Sequence, residues 1–105
     1  MKLRYRLLES GLNLDVLSLV FLYPEVSTID LMEMMQEALH VPYHRLIYLL
    51  RNLRKDGYIN YEYSTIPGKK GRVLRYQITN EGEVLLGDAL DVFRSSLGRL
   101  KGKHP

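Results

Sequence analysis

Between Pro42 and Gly57 the chain carries four leucines, Leu46, Leu49, Leu50 and Leu53, at steps of three, one and three. That spacing gathers them on one side of a helix turning once every 3.6 residues. Proline suits the first helical position, where a missing N–H costs nothing, and glycine suits the left-handed residue just past the end. Residues 42–56 are therefore expected to form a helix with one buried face. The opposite face then carries His44, Tyr48, Arg51 and Lys55, with Ile47 on its flank.

After Gly57 the period changes from helical to alternating. Ile59, Tyr61 and Tyr63 alternate with Asn60 and Glu62 in a stretch rich in β-formers. Pro67-Gly68-Lys69-Lys70-Gly71 is a turn, and beyond it Leu74, Tyr76 and Ile78 alternate with Val73, Arg75 and Gln77. The two runs make a hairpin. Upstream, Asn13 is a candidate N-cap for a helix through LDVLSLVFLY to a stop at Pro24, with Leu17, Val20 and Phe21 on one face. Ser27 or Thr28 caps a second helix, in which Ile29, Met32, Met35 and Leu39 recur at helical spacing. The methionines read as adaptable core filler. His40-Val41 is a short turn into the leucine helix, and residues 2–9 fit either a short helix or a strand.

At 105 residues the chain suits one small domain, too small to enclose a deep active site beside its core. With no cysteine, disulfides and thiolate metal sites are excluded. The charged start MKLRYRLLES lacks the unbroken apolar run of a signal peptide, and no run is long enough to cross a membrane. A cytoplasmic location is the expectation. The net charge is only +3, but it is polarised. Residues 13–40 hold five carboxylates and no Lys or Arg, whereas residues 41–79 hold eight cations against Asp56 and Glu62. Cations gathered in one block point to a polyanionic partner more strongly than the total does.

Three helices, a basic hairpin and a further helix, in that order, resemble a winged helix-turn-helix. LDVLSLVFLY, STIDLMEMM, VPYHRLIYLLRNLRKDGYI and GKKGRVLRYQITNEG are similar to the core pattern of MarR-, PadR- and ArsR-like regulators. Two stretches carry most of the resemblance. Leu46-x3-Leu50-x2-Leu53-x3-Gly57-x-Ile59 resembles the end of a recognition helix, and Tyr76-x-Ile78-Thr79-Asn80-Glu81-Gly82 resembles the exit from a wing. PadR-like proteins usually place Tyr where this chain has Ile47, followed by Tyr48, so the resemblance is to the superfamily. It implies an α+β, mainly α fold: a winged helix-turn-helix domain over residues 1–82, with residues 1–11 as an extension, and a C-terminal helix and basic tail over 83–105. It also implies a transcriptional regulator, here expected to be a repressor, that binds double-stranded DNA and needs no cofactor.

An α-helix fits the major groove of B-DNA, and its N-terminal exposed residues reach base edges. In the leucine helix, 42–56, these are Tyr43, His44, Arg45, Ile47 and Tyr48, with Arg51 deeper along it. Arg45 or Arg51 suits guanine, Ile47 a thymine methyl, and the tyrosines suit phosphates. In the wing, 66–72, the cations Lys69, Lys70 and Arg72 flank the tip and suit the phosphate backbone or the minor groove, with Arg75 behind them. A surface hairpin with no DNA contact would carry the same lysines. His40 and His44 are no metal pair, because Pro42 breaks the helical spacing between them and no third ligand stands nearby.

From Glu83 to Leu100 two apolar stripes coexist. Leu86, Leu90, Phe93, Leu97 and Leu100 step 4, 3, 4, 3, the spacing of a coiled-coil seam, and Leu85, Ala89 and Val92 flank it. The flanking stripe suits the winged domain and the seam suits a second copy of the chain, making a homodimer. An enzyme is not expected: no nucleophile–base set and no phosphate-binding glycine loop is present. The alternative is a winged helix that binds other proteins without touching DNA, a reading that Ile47 and the tyrosines also fit.

Overall fold

Leucine-rich segments fold as helices here because each has a core to face. The computed structural model describes residues 11–65, 67–68 and 71–102, with side chains as far as residue 91. Helix α1 spans Leu12–Leu22 and buries Val16, Leu17 and Val20. It begins one residue earlier than Asn13, which is buried inside the first turn while Gly11 holds the N-cap position at φ 70°. Phe21 departs from its expected place in the core and is 47% exposed, because Val16 completes the buried line instead.

Helix α2, Thr28–Leu39, is capped by the Ser27 hydroxyl, which accepts the Asp30 N–H at 3.1 Å. Its buried line is Leu31 and Met35, one turn apart, so the expected stripe from Ile29 to Leu39 is corrected: both ends of it are exposed. The helix stops at His40, which takes a left-handed conformation at φ 55°. The His40 N–H donates to the Gln36 carbonyl at 3.0 Å and the Val41 N–H to the Met35 carbonyl at 3.4 Å, closing the helix on a left-handed residue with the Val41 side chain buried.

Three residues after α2, helix α3 spans Tyr43–Lys55 and buries Leu46, Leu49, Leu50 and Leu53, the expected face. Pro42 sits just outside it, in the N-cap position, and its carbonyl accepts from Arg45 and Leu46. Gly57, at φ 84°, turns the chain out as expected. Strands β2 (Ile59–Thr65) and β3 (Arg72–Ile78) pair antiparallel, with Tyr61 opposite Tyr76 and Glu62 opposite Arg75.

The hairpin is part of a three-stranded sheet. A two-residue strand, β1 (Val26–Ser27), pairs with β3, giving the order β1-β3-β2. Ser27 thus ends a strand and caps a helix at once, which ties the sheet to the start of α2.

Helix α4 runs Asn80–Gly102, starting three residues before the expected Glu83, so an 82/83 boundary falls inside it. The Thr79 hydroxyl supplies the reason: it accepts the Gly82 N–H at 3.0 Å and thereby serves the first turn. Leu85 and Ala89 dock on the domain as expected. Leu86, however, is buried in the same core and is 7% exposed, so within the seam it belongs to the domain. Four helices and one small antiparallel sheet make the described fold mainly helical.

Candidate nucleic-acid interface

Helix α3 is held to the core by four leucines, and this fixes what it shows outward. Tyr43, His44, Arg45, Tyr48 and Arg51 are all exposed. Tyr43 and Tyr48 show more than half their surface, at 54% and 55%. Tyrosines so far from water-free surroundings are not serving the core. The outer face carries Arg45, Arg51, Arg54 and Lys55, and no Asp or Glu lies between Tyr43 and Lys55. Ile47 is half-buried and packs toward the core on the wing side of the helix, rather than standing on the outer face.

The wing rises beside α3. Of its expected contact residues, Lys69 and Lys70 lie outside the described residues. Arg72 is exposed, with its guanidinium over the Tyr63 ring at 4.9 Å. Arg75 has a different role from the one expected. It donates from Nε to the Ser64 hydroxyl at 2.8 Å and from a terminal nitrogen to the Glu25 carbonyl at 3.2 Å. Two of its five donors thus tie β3 to β2 and to the residue before β1, a structural role that the sequence did not suggest.

A cleft opens between α3 and the wing, and it brings together residues that the sequence reading kept apart. Arg54, an exposed cation in the last turn of α3, lies 4.4 Å over the Tyr61 ring. Tyr61 and Tyr63 meet edge to face at 5.8 Å. Their alternation in β2 and the three-residue step from Arg51 to Arg54 were visible signals; the contact between strand and helix was not.

Of the expected dimer seam, Leu90 is 48% exposed on α4. Phe93, Leu97 and Leu100 lie on the same helix, but their side chains are outside the described part. Among the described residues no helix is long and apolar enough to cross a membrane, and no three His, Asp or Glu side chains cluster as metal ligands would.

The sequence matches no protein-family model and no curated protein. Its fold does match solved structures. PadR of Bacillus subtilis in complex with operator DNA is 26% identical over 76% of this chain and 47% of that one, with a TM-score of 0.66. The chain spans about half the length of that protein. A PadR-like transcription factor from Bacteroides fragilis is 22% identical, covers 98% of both chains and has a TM-score of 0.72. MarR from E. coli is 20% identical over 97% of this chain and 89% of that one, with a TM-score of 0.56. The chain has the winged helix-turn-helix fold of the PadR-like and MarR transcriptional regulators.

Proposed function

We propose that this protein regulates transcription by binding double-stranded DNA sequence-specifically as a homodimer. Helix α3 enters the major groove and the wing lies on the backbone or in the minor groove. The observation that carries the reading is the outer face of α3, where Tyr43, His44, Arg45, Tyr48 and Arg51 stand exposed on a helix anchored by buried leucines. A polyanion meets cations and hydroxyl donors there, and no carboxylate. The likeness to a PadR bound to operator DNA supports the same reading.

Selection from a random duplex pool, followed by a salt titration on the selected duplex, tests it. Several Lys and Arg contacts to phosphate make affinity fall steeply with salt, by a log–log slope of about −0.9 per phosphate neutralised. Arg51→Ala is expected to lose sequence preference, whereas Lys69→Ala with Lys70→Ala weakens all duplexes alike. A chain that binds no duplex even at low salt is not a DNA-binding protein, and an interaction module for other proteins would then be the reading to pursue.

A further inference from the structure

We propose that the cleft between α3 and the wing receives one sugar–phosphate strand of the duplex, and that Arg54 grips its phosphate. This rests on the DNA-binding reading above and assigns a contact residue that reading does not contain.

The cleft has Arg51 and Arg54 on the helix side and Tyr61 and Tyr63 on the sheet side, with Leu50 and Leu74 between them. No carboxylate lines it. Two guanidinium groups at the rim favour an anion, while the apolar floor and aromatic rings suit the carbon-rich face of a deoxyribose. A phosphodiester strand supplies both in alternation.

Arg54 is presented in a form ready for that ligand. Its guanidinium carbon lies 4.4 Å over the centre of the Tyr61 ring, a cation–π contact. That contact consumes none of the five N–H donors, which leaves them for a bidentate phosphate contact. Among the described residues the Arg54 guanidinium makes no hydrogen bond or ion pair, with the Asp56 and Glu62 carboxylates included. Arg75, in contrast, commits Nε and one terminal nitrogen to Ser64 and Glu25. The row continues: Tyr61 meets Tyr63 at 5.8 Å, and Tyr63 lies under Arg72 at 4.9 Å. Cations and rings therefore run unbroken from the last turn of α3 to the base of the wing tip. Holding these side chains before binding reduces the ordering cost of the complex.

The test is a salt titration of the full chain on the selected duplex and on a scrambled one, with melting curves to verify that each variant is folded. Arg54→Ala is expected to flatten the log–log salt slope by about 0.9, one phosphate's share. It should weaken both duplexes by the same factor. Tyr61→Leu keeps the charge but removes the platform, and is expected to weaken binding about two- to five-fold. Arg54→Lys retains the slope. If folded Arg54→Ala keeps the wild-type slope, or loses only the selected duplex, the phosphate assignment is overturned while the DNA-binding reading stands. If the wild-type chain binds no duplex, both fall together.

Discussion

The α-carbon of Gly82 lies directly against the backbone carbonyl of Tyr58, with no room for a side chain between them. That carbonyl also accepts the Thr79 N–H at 3.1 Å. Helix α4 therefore leaves the sheet in contact with the segment that joins α3 to β2. This close approach sets the angle at which the C-terminal helix projects from the winged domain.

Replacing Gly82 by alanine tests that contact. The added methyl meets main chain on one side and the Ile78 side chain on the other, and the main chain cannot rotate away. A cost of about 1–3 kcal/mol is expected, typical of overpacking. In a domain of this size that lowers Tm by roughly 4–8 °C per kcal/mol. Gly87 is the control, since it faces open space on the same helix. Gly87→Ala should stabilise by about 0.5–1 kcal/mol, the difference in helix preference. Equal effects at the two positions would refute the contact.

Thr79 joins the same junction through its side chain. The hydroxyl donates to the Gly57 carbonyl at 2.6 Å and accepts the Gly82 N–H at 3.0 Å. Thr79→Val keeps the shape and removes both bonds, so a loss of about 1 kcal/mol is expected. Thr79→Ser retains the hydroxyl and most of the stability. Urea unfolding of the pair separates hydrogen bonding from packing, and a serine variant as weak as the valine one would count against the cap.

These residues also mark how far the sequence could be read. The leucine face of α3 and the two alternating strands of the hairpin were legible because both are periodic and both end at glycine turns. Strand β1 was not, since two residues have no period and Val26 and Ser27 are strand only because β3 lies beside them. The exposed places of Phe21 and Ile29 were equally hidden: apolar residues outnumber the positions the core can cover. The pairing of Arg54 with Tyr61 has no signal in the sequence, because the two lie on different elements and only the fold brings them together. The early start of α4 was written in Thr79 and Gly82, but its reason, the Tyr58 carbonyl, is a tertiary contact.

Arg75 tests whether a wing cation can be structural while its neighbours take the proposed contacts to DNA. Its bonds to Ser64 and Glu25 hold the three strands together. Arg75→Ala is expected to lower stability by about 0.5–1.5 kcal/mol, an ordinary hydrogen-bond loss, and to leave the salt slope of duplex binding unchanged. A flatter slope, with stability intact, would place it in the contact set.

Tyr76 links stability to alkaline pH. Burial raises its phenol above the ordinary tyrosine value, against a smaller opposing effect from the Thr28 hydroxyl that donates to it at 3.3 Å. In the unfolded chain the group titrates near about 10. Between that value and the raised folded one, the unfolded state gives up its proton first. The stabilisation is thus complete below about pH 10 and is lost as pH climbs through the folded value. Urea midpoints of the wild type and Tyr76→Phe, compared from pH 8 to 11, should converge above pH 10. A gap that stays constant would show that the phenol does not titrate as described.

Helix α4 tests the dimer, because two of its leucines face different surroundings. Leu86 is buried in the domain core, so Leu86→Ala should cost about 2–5 kcal/mol by leaving a cavity. Leu90 is half exposed one turn further on, where a carboxylate can remain in water while the chain is alone. Leu90→Glu is therefore expected to leave the melting transition of the domain nearly intact and to convert the sedimenting species from dimer to monomer. In the proposed dimer the two recognition helices would lie about 34 Å apart on a two-fold site, one turn of B-DNA, and loss of the dimer would separate them. The variant should then bind one half-site and lose its dependence on half-site spacing. A variant that stays dimeric would place the interface elsewhere than on the seam from Leu90.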